Sequence, residues 1–338
     1  MREARLWRQL KDDTVQCRLC NHYCSVRPDE RGKCGVRENQ GGTLYSLVAD
    51  RVAATNVDPI EKKPLYHFQP GSHSLSVGTV GCNFFCMFCQ NDALSQSPKS
   101  GGPIPGEPVS PQQIVQAAKQ YGCKSISYTY NEPTMFYELM RDCAELAKNE
   151  GLANVMVSNG FMSPECLDEL EPWIDAINVD FKAYTERFYT DLCGTRLEPV
   201  LENLKRIKRM GWWLEVTTLI IPGQNDSEQE LEGIAAFIRD ELGPETPWHL
   251  SRFHPCYQMT QTPSTPVSSL ETAHEIGGKA GLHYVYLGNV PGRKEGNTYC
   301  PDCGQTLIQR SGFAAGGLDV ENGNCCGCGH PIAGVDLG

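Results

Sequence analysis

The 338-residue sequence predicts an α/β fold built on parallel strands. Three observations carry that expectation. Seven short β-rich runs alternate with helical patterns, as in consecutive βα units. The runs are apolar on both faces, as strands covered on both sides are. No heptad and no solenoid-length repeat runs through the chain. An open doubly wound sheet and a full or partial (β/α) barrel both satisfy this pattern.

The first run is LSVGTVG (75–81). A helix follows, with Ser110 as its cap, Pro111 at its first position and Gly122 as its stop. SISYTY (125–130) precedes a helix from about Thr134 to Glu150, and NVMVSN (154–159) precedes one from Ser163 to about Trp173. AINVDFK (176–182) is followed by a helix from about Pro199 to Met210, and WLEVTTLII (213–221) by one over 227–242. WHLSRFH (248–254), a helix near 269–280 and YVYLGNV (284–290) complete the series. The stretches 96–111 and 257–269, rich in Ser, Gly and Pro or similar turn residues, read as loops.

Composition narrows the function. Hydrophobic residues make up 40% and charged residues 21%, which suits a globular chain and excludes a disordered one. Acidic residues outnumber basic ones by 41 to 30, which argues against a nucleic-acid backbone binder. No apolar run approaches the roughly 18 residues of a membrane span. The start, MREARLWRQLKDD, has no apolar core of a secretory signal, so a cytoplasmic location is expected.

In a reducing compartment, clustered cysteines bind metal or do chemistry more often than they form disulfides. Of the 17 cysteines, 12 fall into three short groups. Cys123, Cys143, Cys166, Cys193 and Cys256 stand alone and read as small buried hydrophobes. The groups suggest three parts: an N-terminal four-cysteine module and lead-in over 1–60, a core over 61–295, and a C-terminal knuckle module over 296–338.

The middle group, Cys82, Cys86 and Cys89, offers three thiolates at C-x3-C-x2-C spacing. A structural zinc site wants four protein ligands, so a distant residue must complete it. A [4Fe–4S] cluster usually takes four cysteines, and with three it keeps one iron open for a substrate or second cofactor. The group follows the first β-run, at a strand's C-terminal end, where barrels place their chemistry.

With Phe88, these cysteines form C-x3-C-x-aromatic-C, which resembles the hallmark of the radical S-adenosylmethionine (radical SAM) superfamily. The resemblance covers roughly Leu75 to Val290 and implies a partial (β/α) barrel of parallel strands. It implies that Cys82, Cys86 and Cys89 hold a [4Fe–4S] cluster, are the catalytic cysteines, and leave the fourth iron to the amino and carboxylate groups of SAM. One electron from the reduced cluster then cleaves SAM to a 5′-deoxyadenosyl radical that abstracts hydrogen, chemistry carried by the cofactor.

Further contacts to SAM are implied by the same resemblance. Phe88 lies near the adenine. Glu132 of TYNEP matches a Gly-Gly-Glu-Pro-like element for the SAM amino group, without its two glycines. Ser158-Asn159-Gly160 resembles Asp-Thr-Asn-Gly, with Ser158 for Thr and Val157 at the Asp position, and implies contacts to the ribose or methionine end. Lys182 of Asp180-Phe181-Lys182 matches an Asp-Leu-Lys element that reaches the SAM carboxylate. IIPGQND (220–226) matches a segment bordering the adenine, and His254 a histidine near SAM.

Cys89-Gln90-Asn91 resembles the Cys-His-Asn of pyruvate formate-lyase activating enzymes, with Gln for His. Together with the segment 60–72 and the outer cysteine blocks, it looks like the radical SAM enzymes of the AmmeMemoRadiSam system. That implies an oxidoreductase-type enzyme acting on a protein or small-molecule substrate, a flavodoxin- or ferredoxin-type electron donor, and Memo-like and AMMECR-type partners. The competing expectation is a non-enzymatic adaptor binding zinc or iron–sulfur clusters.

Cys300-x2-Cys303 and Cys325-x2-Cys328 are paired knuckles, expected to hold zinc or rubredoxin-like iron as a zinc-ribbon-type module. Cys326 and His330 look spare. Cys17, Cys20, Cys24 and Cys34, with His22 among them, suit zinc or a second cluster and do not match the ferredoxin cysteine run.

Overall fold

A computed structural model describes residues 1–290 and 292–338. The chain forms two compact units. One comprises Met1–Asp58, Ser74–Asp175 and Cys193–Thr195, and the other comprises Pro59–His73, Ala176–Leu192 and Arg196–Gly338.

In the first unit, the strands Ala54–Pro59, His73–Gly78, Ser125–Tyr128 and Ala153–Ser158 are neighbours in that order. The last three are parallel, with Ser125 opposite both Ser74 and Ala153. The helices Pro111–Gln120 and Tyr137–Asn149 lie between them in sequence. Ser110 and Gln113 close a full capping box on the first, which satisfies amides that the helix cannot pair itself. Asn154 is fully buried, and its side chain accepts from the Tyr128 hydroxyl at 3.0 Å and donates to the Ala144 carbonyl at 3.0 Å. Strand and helix are thus joined by a satisfied polar link inside the core.

The N-terminal cysteine module belongs to this unit. It consists of two small antiparallel sheets, one of Arg2–Glu3, Thr43–Ser46 and Arg37–Gln40 and one of Trp7–Gln9, Val15–Cys17 and Ser25–Val26. Arg37 anchors it to the helix Tyr137–Asn149 through an ion pair with Glu138 in which both side chains are buried.

In the second unit, the strands Ala176–Asp180, Trp213–Ile220, Trp248–Arg252 and Val285–Gly288 are all parallel. The helices Glu198–Met210, Glu228–Phe237 and Val267–Lys279 alternate with them. The helix expected over 227–242 changes at Ile238 into a π-turn that ends at Leu242. A further helix, Glu186–Cys193, stands where no element was expected. The stretch 96–111, expected as loop, carries a 3-10 turn at Ser97–Ser100 and a short strand, Glu107–Pro108, paired with Arg51–Val52.

The segment 60–72 is built into the second unit around a buried carboxylate. Glu215 accepts from the backbone amides of Tyr66 and His67 at 3.0 and 2.8 Å, from the Trp213 indole at 2.9 Å, and bonds the His249 ring at 2.6 Å. The C-terminal hairpin Thr306–Ser311 and Ala314–Leu318 completes this unit, and its Arg310 donates to the Tyr66 carbonyl at 2.7 Å. Among the described residues no helix is long and apolar enough to cross a membrane.

Candidate active site

The loop carrying Cys82, Cys86 and Cys89 begins where the strand His73–Gly78 ends. Two glycines let it leave the strand. A Cβ on Gly78 would lie 2.7 Å from the Thr129 carbonyl oxygen. Gly81 takes φ +95°, and a Cβ there would lie 2.7 Å from the Val36 side chain and 3.1 Å from the Cys34 carbonyl oxygen. Any side chain at Gly81 would displace the N-terminal module from this loop.

The end of the neighbouring strand clamps both ends of the cysteine loop. Asn131 accepts from the Thr79 amide at 3.1 Å and donates to the Gly81 carbonyl at 2.7 Å, just before Cys82. Two residues after Cys89, the Asn91 side chain donates to the Tyr130 carbonyl at 2.8 Å. Tyr130 takes φ +72°, a left-handed conformation that disfavours a bulky residue. Its hydroxyl donates to Asp58 at 3.0 Å, a tether that offsets this strain. Tyr130 and Asn131 stand where the family's two glycines would be, and side-chain bonds do the fastening here.

Glu132, Ser158 and Asn159 form one cluster beside Cys82. The Glu132 carboxylate accepts from the Thr134 amide at 3.1 Å and from the Thr134 hydroxyl. It also accepts from the Ser158 hydroxyl at 2.9 Å and the Asn159 amide at 2.8 Å. Burial raises the Glu132 pKa, and these bonds oppose the rise. Asn159 donates to the Asn83 side-chain oxygen at 2.7 Å and lies 3.8 Å from the Cys82 sulfur. The Phe84 amide donates to the same sulfur at 3.4 Å. Phe88 is buried, while Phe85 is exposed beneath the Lys99 ammonium, 3.6 Å from the ring centre.

The three cysteines suit an iron–sulfur cluster. Burial, then Glu132 and Cys86, push the Cys82 thiol well above the ordinary thiol range. A thiolate there needs cationic charge close by, which a metal centre provides. Asn83 is buried beside Cys82, and its side-chain nitrogen has no acceptor among the described residues. A donor left open at this spot fits a cluster sulfide or a polar cofactor group.

The other expected SAM residues lie in the second unit. Lys182 is largely buried and pairs with Asp180 at 2.9 Å. The loop 220–226 is fastened by Asn225, which accepts from the Ile221 amide at 2.7 Å and donates to the Lys182 carbonyl at 2.7 Å. The Lys182 loop and the loop 220–226 are therefore held together. His254 is exposed, two residues beyond the strand Trp248–Arg252, with its ring nitrogen 3.1 Å from the Ser264 hydroxyl.

Sequence reasoning assigned no fastening role to Asn83, Asn91, Asn131, Lys99 or Asn225. Asparagine in a loop is usually turn chemistry, so only their placement shows their work. Lys99 sits in a stretch read as plain loop, where nothing marked it.

Cys300, Cys303, Cys325 and Cys328 bring their sulfurs within 4.8 Å of one another. The Cys300–Cys328 and Cys303–Cys325 sulfurs are 3.6 and 3.7 Å apart. Four thiolates at ~2.3 Å around one tetrahedral zinc lie ~3.8 Å apart, so the spacing is that of a single ion. Cys326 is outside this set, and the His330 carbonyl accepts from the Cys325 amide.

A parallel α/β core with three clamped cysteines after one strand is the arrangement of a radical SAM protein. The family model described as the radical SAM superfamily matches residues 76–238, and the chain belongs to that superfamily. Its fold is the partial (β/α) barrel core with small cysteine-rich modules. The chain is 46% identical to the Methanocaldococcus jannaschii protein MJ0808, over 98% of this chain and 99% of that one. It is 22% identical to pyruvate formate-lyase 1-activating enzyme of Escherichia coli, over 47% of this chain and 66% of that one. Among solved structures, a radical SAM methyltransferase from Sphaerobacter thermophilus superposes with a TM-score of 0.51 at 17% identity, over 66% of this chain and 68% of that one.

Proposed function

We propose that the chain is a cytoplasmic radical SAM enzyme of the activating-enzyme kind, using a [4Fe–4S] cluster held by Cys82, Cys86 and Cys89. When bound, the cluster and SAM supply a one-electron reductive cleavage yielding a 5′-deoxyadenosyl radical that takes a hydrogen atom from a substrate. The observation that carries this reading is the two-ended clamp of Asn131 and Tyr130 on the cysteine loop. A cysteine loop held at both ends before the metal arrives suits a cluster with an open iron.

The chain's own residues orient and shield. Asn131 and Asn91 hold the loop ends. Glu132 fixes the Ser158–Asn159 turn beside Cys82, and through that turn positions Asn83. Phe88 supplies an apolar face for the adenine. The chain's similarity to an activating enzyme favours a protein substrate, with hydrogen abstraction from a glycine Cα as one version. Memo-like and AMMECR-type proteins are the first partners to test, with a flavodoxin- or ferredoxin-type electron donor. The C-terminal quartet serves as a zinc site that stabilises its hairpin.

The test is anaerobic. Reconstituted protein is mixed with dithionite and SAM, and 5′-deoxyadenosine is quantified, with Cys82→Ala as control. Product from the wild type alone supports the reading. A fully clustered wild type that forms none, with or without these partner proteins, overturns it.

A further inference from the structure

After Cys89 the chain folds back on the cysteine loop. The short helix Asp92–Ser95 turns it, and the Leu94 carbonyl accepts from the Gly81 amide at 2.8 Å. The 3-10 turn Ser97–Ser100 follows and carries Lys99. The N-terminal module packs against this turn, because a Cβ on Gly35 would lie 2.6 Å from the Pro98 backbone.

The spacer between Cys82 and Cys86 is Asn83-Phe84-Phe85, and both peptide units inside it are bonded on each side. The Asn83 carbonyl accepts from the His22 ring at 2.8 Å, and the Phe84 amide donates to the Cys82 sulfur at 3.4 Å. The Phe85 amide donates to the Cys193 carbonyl at 2.8 Å. The Phe84 carbonyl accepts from the Gln96 side chain at 3.3 Å and from the Lys99 ammonium. That ammonium also donates to the Gln96 side-chain oxygen at 2.7 Å and sits 3.6 Å from the centre of the Phe85 ring. Through the Phe84 amide and carbonyl, these links place the ammonium within about 10 Å of the Cys82 sulfur.

Lys99 is half-buried, and its partners are a carbonyl, an amide oxygen and an aromatic ring. Among the described residues no carboxylate pairs with it. Withdrawing a charge from water without a counter-ion is costly, so an ammonium held this way points to an anion beside it. Burial lowers its pKa, and the sulfurs of Cys82, Cys86, Cys34 and Cys89 oppose that fall.

We propose that Lys99 is the fixed counter-charge of the [4Fe–4S] cluster at Cys82, Cys86 and Cys89, and that it eases the cluster's reduction. The inference rests on the reading that these cysteines hold the cluster. With three thiolate ligands the oxidised cluster is already an anion. The one electron it accepts from the donor adds one negative charge, so a cation fixed nearby favours the reduced form and raises the potential.

The experiment is an anaerobic potentiometric titration with dithionite and without SAM, read by electron paramagnetic resonance. Wild type, Lys99→Met, Lys99→Gln and Lys99→Arg are compared after iron and acid-labile sulfide have been counted. The signal followed is the one that Cys82→Ala lacks. Lys99→Met and Lys99→Gln are expected to shift to more negative potential by similar amounts. At a fixed potential their reduced-to-oxidised ratio falls about tenfold, which is about 59 mV for a one-electron couple. Lys99→Arg, which keeps the charge, is expected to stay near wild type.

Lys99→Gln keeps a donor for the Phe84 carbonyl and loses only the charge. A wild-type potential in Lys99→Gln would therefore make Lys99 a fastener of the loop and overturn the proposal. If Lys99→Met does not fold, Lys99→Gln decides alone. Neutral variants that take up no iron overturn the proposal too, because Lys99 would then build the site and not tune it. A shift in Lys99→Arg as large as in the neutral variants has the same force. A wild type without a cluster at these cysteines defeats the proposed function itself, whereas a clustered wild type with unmoved neutral variants defeats only this inference.

Discussion

Asn131 reaches across from one strand end to the next and donates to the Gly81 carbonyl at 2.7 Å, immediately before Cys82. The same side chain accepts from the Thr79 amide, so two backbone points of the cysteine loop hang from one residue. Asn131→Ala leaves a buried amide and a buried carbonyl unpaired and lets the loop relax. Small misplacements of reacting groups cost about 100-fold in rate. We expect 5′-deoxyadenosine formation to fall about 10- to 100-fold while iron content stays near wild type. Loss of all iron would instead make Asn131 a folding residue.

The buried pair of Arg37 and Glu138 gives a stability prediction. Removing one partner strands the other as a buried charge, so Glu138→Leu alone is expected to destabilise by about 3 to 5 kcal/mol. Replacing both, as Arg37→Met with Glu138→Leu, is expected to recover most of that loss, because two apolar groups need no pairing. Urea unfolding of the wild type, single and double variants measures the difference. Additive losses in the double variant would show that the pair does not act as a unit.

His67 makes stability depend on pH. Burial lowers its pKa to about 4 from the ordinary 6.5, with Glu215 opposing that shift and Arg310 and His249 adding to it. Its two ring nitrogens have different partners. Nδ1 faces the Ala333 carbonyl at 2.7 Å, which can only accept, so Nδ1 carries the proton and Nε2 accepts from the Tyr286 hydroxyl at 2.6 Å. The folded state therefore holds a neutral ring. The stabilisation is full above pH 6.5, where the unfolded ring is also neutral, and is lost as pH falls from 6.5 to about 4. Its size is about 3 kcal/mol at most. Chemical unfolding at pH 7 and pH 5 is expected to show the drop, and His67→Gln to flatten it.

Metal content separates the C-terminal cysteines. Cys300→Ser is expected to lose about one metal ion per chain. Cys326→Ser is expected to keep it, because Cys326 stands outside the quartet. Elemental analysis after purification reads the result, and equal metal content in both variants would move the site elsewhere.

The sequence made the core legible where chemistry and periodicity agree. Ser125–Tyr128, Ala153–Ser158 and Ala176–Asp180 lie within one or two residues of the expected starts, because strands covered on both faces read as continuous apolar runs. The N-terminal strands are two to four residues long, too short for any alternation to emerge. The helix Glu186–Cys193 starts without an apolar stripe long enough to declare itself. In the site, cysteines, Glu132 and Asn159 were visible as motif letters. Their fastening was not, because it is made by asparagines whose partners lie up to 76 residues away.

Arg310 also bears on how the polypeptide is made. It donates to the Tyr66 carbonyl across 244 positions, and its guanidinium lies 4.1 Å from the centre of the Tyr66 ring. Synthesis runs from the N-terminus, so the segment around Tyr66 leaves the ribosome long before Arg310 exists. Until then its carbonyl and ring lack the partner that Arg310 provides. The second unit therefore cannot complete its packing around Tyr66 until the segment bearing Arg310 has been made.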